Sequence, residues 1–342
     1  MARTAERQFY AALVERYGVE IADAFMAAVA DLRAGADLQR LIAAIQLGDL
    51  DAAIAAAHID AAAYSAMLEG VRAAYVASGT TAAGFITQAS GVAAVVRFDV
   101  RNRRAELWLS IHSSSLVTRI VDDQRQAVRQ ALAAGMARGE NPRTTALDLV
   151  GRVDPSTGKR DGGIIGLTAQ QQGAVEAARD QLRSDDPAQL KAYLERKRRD
   201  KRFDRSVLKA IREEKPLPAE IAGKALRQYK NRLLQLRGET IGKNEAFTSL
   251  QASKQEAYRQ AVQGGAVSQQ AVRKIWRHMA NENPRIQHVE MDGESVGLEE
   301  VFVMPDGTRM LYPHDPEAPA KHTLGCHCQA DYRIDHLANL AA

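Results

Sequence analysis

Three prolines within seven residues, Pro313, Pro316 and Pro319, lead into the chain's two cysteines, Cys326 and Cys328. Each proline fixes its own φ, removes a backbone donor and pushes the residue before it toward an extended conformation. Such a stretch can be neither a helix nor a central strand. It must run as an extended loop, and it has little apolar surface of its own, so something else has to pin it. Just upstream, Val301–Met304 and Arg309–Tyr312 flank Pro305-Asp306-Gly307-Thr308, which predicts a β-hairpin over about 301–312.

One means of pinning is a metal. Cys326, Cys328 and His288, with His322, His314 or His327 as a fourth donor, offer thiolate and imidazole ligands of the kind tetrahedral zinc takes. A zinc in such a set is expected to be structural. The plain alternative is two small buried thiols packed beside a hydrogen-bonded His288. A disulfide between cysteines one residue apart would be strained. Nothing in the spacing of His278 or His336 assigns them a role.

The rest of the chain reads as mainly α, with the small α+β module confined to the C-terminal part. From Glu6 to about Gly79 an alanine-rich sequence with apolar residues at helical spacing predicts four or five short helices, broken near Gly18, Gly35, Gly48 and Gly79. Asp49 and Asp60 stand where they can cap new helices. Between Gly79 and Arg104 a loop with a brief strand around Val92–Phe98 is expected. A helix over 105–112 and another from Leu116 to about Arg138, capped by Ser113–Ser115, follow. Asn141-Pro142 opens the next helix, and a polar Gly-rich linker covers 151–166. Lys159 follows Gly158 there, but the remaining residues of a phosphate-binding loop are missing.

Thr168-x-x-Gln171 forms a capping box and Asp186-Pro187 a second helix start, with Arg196–Arg199 on the side opposite Leu190 and Tyr193. A long helix is predicted over about 219–262, stopped by Gly264-Gly265, and Val272 to Met279 is read as a strand. Three consecutive regions result: an N-terminal bundle over 1–90, a helical middle over 91–165, and the remainder over 166–342.

Composition narrows the class. The chain has 342 residues, 46% apolar and 26% charged, which suits a globular protein rather than a disordered one. Two cysteines make no disulfide framework, no apolar run is long enough for a membrane span, and the first residues lack the apolar core of a signal peptide, so a cytoplasmic product is expected. The net charge of +4 conceals a basic stretch from Lys191 to Arg237, where sixteen Lys or Arg face six Asp or Glu. Lys197, Arg198, Arg199, Lys201 and Arg202 are its densest part and the candidate phosphate contacts, although interleaved acids also fit a solvated face.

The order Trp276, His288, Met291-Asp292-Gly293, Tyr312-Pro313, Cys326-x-Cys328 resembles the C-terminal domain of the phage Mu F-like, or head morphogenesis, family of minor capsid proteins. Gly325 stands where that family usually has Asn, and His327 where it has Arg. Arg237-Gly238-Glu239 and Asn244-Glu245 resemble a further segment of the family, with Asn244 in place of Thr. Arg237 and Glu239 are read as a structural polar network tying the long helix to the C-terminal sheet. Catalysis by Glu239 and Glu245 is not expected, because six residues apart on a helix they diverge by about 120°.

The resemblance implies a virion component of a tailed phage: a non-enzymatic minor head protein that meets the portal and capsid proteins, with scaffold contact, and acts in head assembly, DNA packaging or genome delivery. It would be made in the host cytoplasm and end in the particle, its basic segment meeting packaged DNA without sequence preference. Two other classes compete. One is a free, non-sequence-specific DNA-binding protein, supported by charge alone. The other is a metal-dependent hydrolase or toxin-related enzyme; the fused module some relatives carry is not expected in the fourteen residues after Cys328.

Overall fold

The protein is seen in a computed structural model that describes residues 2–89, 95–279, 284–335 and 338–339. It is mainly helical, with short antiparallel strands. Helices α1 (Ala2–Gly35), α2 (Leu38–Leu47), α3 (Leu50–Ala56) and α4 (Ser65–Ala89) come first. They are followed by α5 (Arg103–Ala137) and α6 (Pro142–Val150), then the two-residue strands β1 (Arg152–Val153) and β2 (Arg160–Asp161). Next are α7 (Ala169–Arg183), α8 (Pro187–Leu194), α9 (Asp204–Glu213) and α10 (Ala219–Gln263). Last come β3 (Val272–Arg277), α11 (Ile286–Glu290), β4 (Ser295–Gly297), β5 (Phe302–Val303), β6 (Arg309–Met310), α12 (Ala320–Thr323) and β7 (Gln329–Ile334).

The starts of helices follow the sequence closely. Asp49 accepts from the Ala52 amide at 2.9 Å and Asp60 from the Ala62 amide at 3.0 Å. Asn141 and Asp186 cap helices that begin with proline, and Thr168 with Gln171 completes the capping box. Helix interiors depart from it. Gly18 does not break α1: a Cβ built at Gly242 of α10 would strike the Gly18 carbonyl, so the two backbones touch there and small residues make the contact.

Gly79 lies inside α4, with the Phe98 ring against it. Val95–Asp99 form no strand, and Val92 lies outside the described residues. Side chains take the ladder's place. Thr87 Oγ1 accepts from the Val96 amide at 2.9 Å, while the Gln260 carboxamide both accepts from the Asp99 amide (2.7 Å) and donates to its carbonyl (2.9 Å). The two helices expected over 105–138 are one, α5, because Ser114 and Ser115 point to solvent and cap nothing. The 151–166 linker contains the β1–β2 hairpin.

The chain forms two compact units built from interleaved segments, which cut across the three consecutive regions read from the sequence. Unit 1 takes Met1–Ala24, Ala66–Ser114 and Glu239–Ala342; unit 2 takes Phe25–Ser65 and Ser115–Gly238. In unit 2, Phe25 stacks on Tyr64 at 5.8 Å, and the buried Arg33 guanidinium donates to the carbonyls of Gly163 (2.8 Å) and Ile165 (2.9 Å). In unit 1, α10 is buried at every residue from Glu245 to Tyr258. The sheet order is β4-β3-β7, antiparallel throughout, and β5 pairs with β6 around the Asp306-Gly307 turn. Trp276, Met291, Phe302, Met304, Met310, Cys326 and Cys328 form the core of this C-terminal module. Among the described residues no helix is long and apolar enough to cross a membrane.

Candidate metal centre

The register of β3 on β7 places the site. Trp276 lies opposite Ala330 and Arg277 opposite Gln329. The ladder ends there; continuing its register by one residue would set His278 opposite Cys328. Strand side chains alternate between faces, so Trp276, His278, Ala330 and Cys328 share one face. The His-x-x-Met-Asp-Gly segment clamps this end of β3. Asp292 Oδ1 accepts from the His278 amide at 3.0 Å, and the Gly293 amide donates to the Trp276 carbonyl at 3.0 Å.

Helix α11 then brings His288 onto that face. Its Nδ1 is 3.3 Å from Cys326 Sγ and 3.5 Å from Cys328 Sγ, and the edge of Trp276 closes one side at 5.5 Å. His288, Cys326 and Cys328 are each 2% exposed. Their donor atoms lie within 4.8 Å of one another, so the three can hold a metal ion. Hydrogen bonding from Cys326 lowers the Cys328 thiol, with His288 and His278 adding to the effect, while the same contact and burial raise Cys326.

His322, read from the sequence as one candidate for a fourth donor, lies outside the three-residue cluster. His322 Nδ1 contacts His288 on the far ring nitrogen, Nε2, at 3.1 Å, and so lies on the outer side of the imidazole. His322 Nε2 in turn is 2.9 Å from Asp306 Oδ2, which also receives Lys321 Nζ at 2.6 Å and, through Oδ1, the Thr308 amide at 3.0 Å. Lys321 foremost among these donors holds the Asp306 carboxyl well below its ordinary value. A neutral His322 that donates from Nε2 to Asp306 accepts at Nδ1, and a His288 that donates to it from Nε2 keeps its Nδ1 lone pair on the side of the sulfurs.

His314 and His327 pack against Phe247 at 4.7 and 5.7 Å, outside the three-residue cluster. Burial lowers His314 to about 3. His278, to which the sequence assigns no role, also lies outside that three-residue cluster, but its Nδ1 is 3.7 Å from Cys328 Sγ. The signal that would have found it is the β3–β7 register, which needed β7 to be recognised as a strand. His336 lies outside the described residues.

The other candidate residues are dispersed. Helix α8 ends at Leu194, so the basic cluster occupies turns and a 3-10 turn at Lys201–Phe203 rather than a helical face. Arg199 is bidentate to Asp204 at 2.9 Å, and Arg202 clasps Asp200, its closest approach being 2.6 Å. Lys197, Arg198 and Lys201 are exposed. Arg237 donates to the Gly166 carbonyl at 2.9 Å and reaches Asp123 at 3.3 Å, with its guanidinium over Phe25. Its tie is therefore to α5 and the loop before α7, not to the C-terminal sheet. Glu239 is exposed. Glu245 is buried against His112 Nε2 at 2.5 Å.

A Bacillus subtilis (strain 168) protein described as uncharacterized, YqbB, is 30% identical over 102 residues, which is 29% of this chain and 31% of that protein. The match thus spans less than a third of the relative's length. No protein-family profile matches the chain, and no solved structure does.

Proposed function

We propose that this chain is a non-catalytic minor head protein of a tailed phage, associated with the portal vertex, whose proline-stiffened tail is pinned by a structural zinc. The observation that carries the reading is the approach of His288 Nδ1 to both thiols at 3.3 and 3.5 Å across nearly forty residues of chain. It joins the His-x-x-Met-Asp-Gly segment to the Cys-x-Cys ending, the two parts on which the family resemblance chiefly rests. Zn–S near 2.3 Å and Zn–N near 2.0 Å around a tetrahedron place N and S about 3.5 Å apart, matching the observed edges. Gly325 adds support: its φ of +66° is a left-handed conformation open to Gly and to the Asn usual in the family.

Burial of the three donors at 2% exposure favours a structural over a hydrolytic centre, since a hydrolase needs a water-accessible metal position. When bound, the ion would cross-link α11 to the start of β7 and neutralise two thiolates. Docking on portal and capsid proteins, with scaffold contact during assembly in the host cytoplasm, belongs to the same reading. So does contact of the exposed Lys197, Arg198 and Lys201 with packaged DNA.

Mass spectrometry of purified particles tests the assignment. The chain should appear in the head at a few copies per portal; its exclusion from intact particles, while abundant in the producing cell, would end the proposal. For DNA contact, reversing Lys197, Arg198 and Lys201 to Glu should flatten the dependence of log affinity on log salt by about 0.9 for each phosphate no longer neutralised. An unchanged slope removes DNA from the partners.

A further inference from the structure

We infer that the fourth donor to the metal is His278, and that Asp306 and His322 form an outer relay that orients His288 without touching the ion. This rests on the metal reading above and adds to it the donor that completes the site. Four observations converge on it. His278 follows the last residue of β3, and continuing the β3–β7 register by one step would set it opposite Cys328, with the two side chains on one face. Its Nδ1 is 3.7 Å from the Cys328 sulfur, close to the edge length a four-coordinate thiolate–imidazole centre requires. Its backbone is held by Asp292 at 3.0 Å, so the cross-strand placement is built into the fold. Finally, His322 is committed elsewhere, with Nδ1 on His288 Nε2 and Nε2 on Asp306.

The electrostatics agree. Two thiolates and two neutral imidazoles cancel the charge of a divalent ion, which a site of this burial needs. His322 occupies the place of the outer group that fixes a ligating histidine's second nitrogen, and Asp306 holds it from one hydrogen bond further out. His278 is half-buried, whereas His288 and the thiols are buried.

Cobalt substitution of the purified full-length protein reads the donor set directly. The wild type should take up one equivalent, with the strong visible bands of a tetrahedral centre and near-ultraviolet thiolate charge transfer. His278→Ala should keep the charge transfer, lose the tetrahedral intensity and bind more weakly. His278→Cys should restore that intensity and add charge transfer from a third thiolate, which guards against a variant that merely misfolds.

His322→Ala and Asp306→Asn should keep the tetrahedral bands while affinity, measured against a chelator, falls about 10–100-fold. His314→Ala should change neither. If His278→Ala retains the wild-type spectrum and affinity, or if His322→Ala or His314→Ala abolishes the tetrahedral bands instead, this assignment is overturned while the metal reading stands. A wild-type protein that binds neither zinc nor cobalt overturns the metal reading itself.

Discussion

From Ala219 to Gly238 helix α10 turns Ala222, Leu226, Tyr229, Leu233 and Leu234 inward and leaves Glu220, Gly223 and Lys224 in water; from Glu245 to Tyr258 it has no outward side. The first stretch follows the usual logic of an amphipathic helix. The second buries Glu245, Thr248, Ser249, Gln251, Ser253, Lys254, Gln255 and Glu256, and its charged and carboxamide residues each make a polar contact, although Ser249 Oγ and Gln251 Nε2 have no hydrogen-bond partner among the described residues. Glu245 meets His112, and Arg104 is bidentate to Glu256 at 3.1 Å. Lys254 Nζ donates to the Ala330 carbonyl at 2.8 Å and lies 4.2 Å from the Tyr10 ring centroid. Gln255 donates to the Leu298 carbonyl at 2.7 Å and accepts from Tyr332 at 2.8 Å, while Gln251 accepts from the Ala330 amide at 3.2 Å. The difference teaches that a helix with polar residues all round can be the centre of a core when its neighbours present unpaired backbone groups to it.

Five substitutions separate the two arrangements, and urea unfolding can rank them. Asp148→Asn should cost most, about 3 kcal/mol near neutral pH, because it takes the carboxylate from Lys230 and Arg179, both buried in unit 2. Burial alone would raise the Asp148 carboxyl, but Lys230 and Arg179 outweigh it and hold it far below its ordinary value. The folded state thus keeps its proton off where the unfolded chain would bind one. The stability is present above about pH 3.9 and drains as pH falls below that. Circular dichroism across this window should show the wild type losing stability more steeply than Asp148→Asn; parallel curves would mean that the cluster carries no such linkage.

Glu245→Ala should cost about 2 kcal/mol by leaving His112 buried without its partner. A neutral outcome would show that the polar side of this stretch of α10 is passive filling. Gly242→Ala should cost about 1–2 kcal/mol through the forced separation of α10 from α1, and Gly18→Ala less, since its Cβ has 3.5 Å of room. Glu220→Gln, which breaks an exposed pair with Lys224, should leave the unfolding midpoint where it was. If it moves as far as Glu245→Ala does, the contrast between the two stretches of α10 fails.

What was readable in the sequence follows from the same contrast. Caps are local chemistry, so Asn141, Thr168 and Asp186 announced their helices, and the Asp306-Gly307 turn announced its hairpin. The extent of α10 was legible because Pro218 precedes it and Gly264-Gly265 ends it. Glycines misled wherever they serve contacts between helices, as at Gly18. Arg199 and Arg202 looked like free charge because their acids, Asp204 and Asp200, read as interruptions rather than partners. At the candidate metal site, His288, Cys326 and Cys328 were legible from the two recognised motifs, while the contacts set by strand pairing or by a further hydrogen bond were not. Nothing local in the sequence says that His278 will face Cys328, or that His322 will reach past the ring of His288 to Asp306.

The interleaving of segments has a consequence for biosynthesis. Every residue of unit 2 lies between Phe25 and Gly238, so it can close while the ribosome is still translating the remainder. Unit 1 cannot: Tyr10, Val14, Ile21 and Tyr75 have emerged long before the stretch from Glu239 onward that completes their core. Its earliest helices must wait with greasy faces uncovered, and that interval is when a nascent chain of this design is most exposed to aggregation and most dependent on a chaperone.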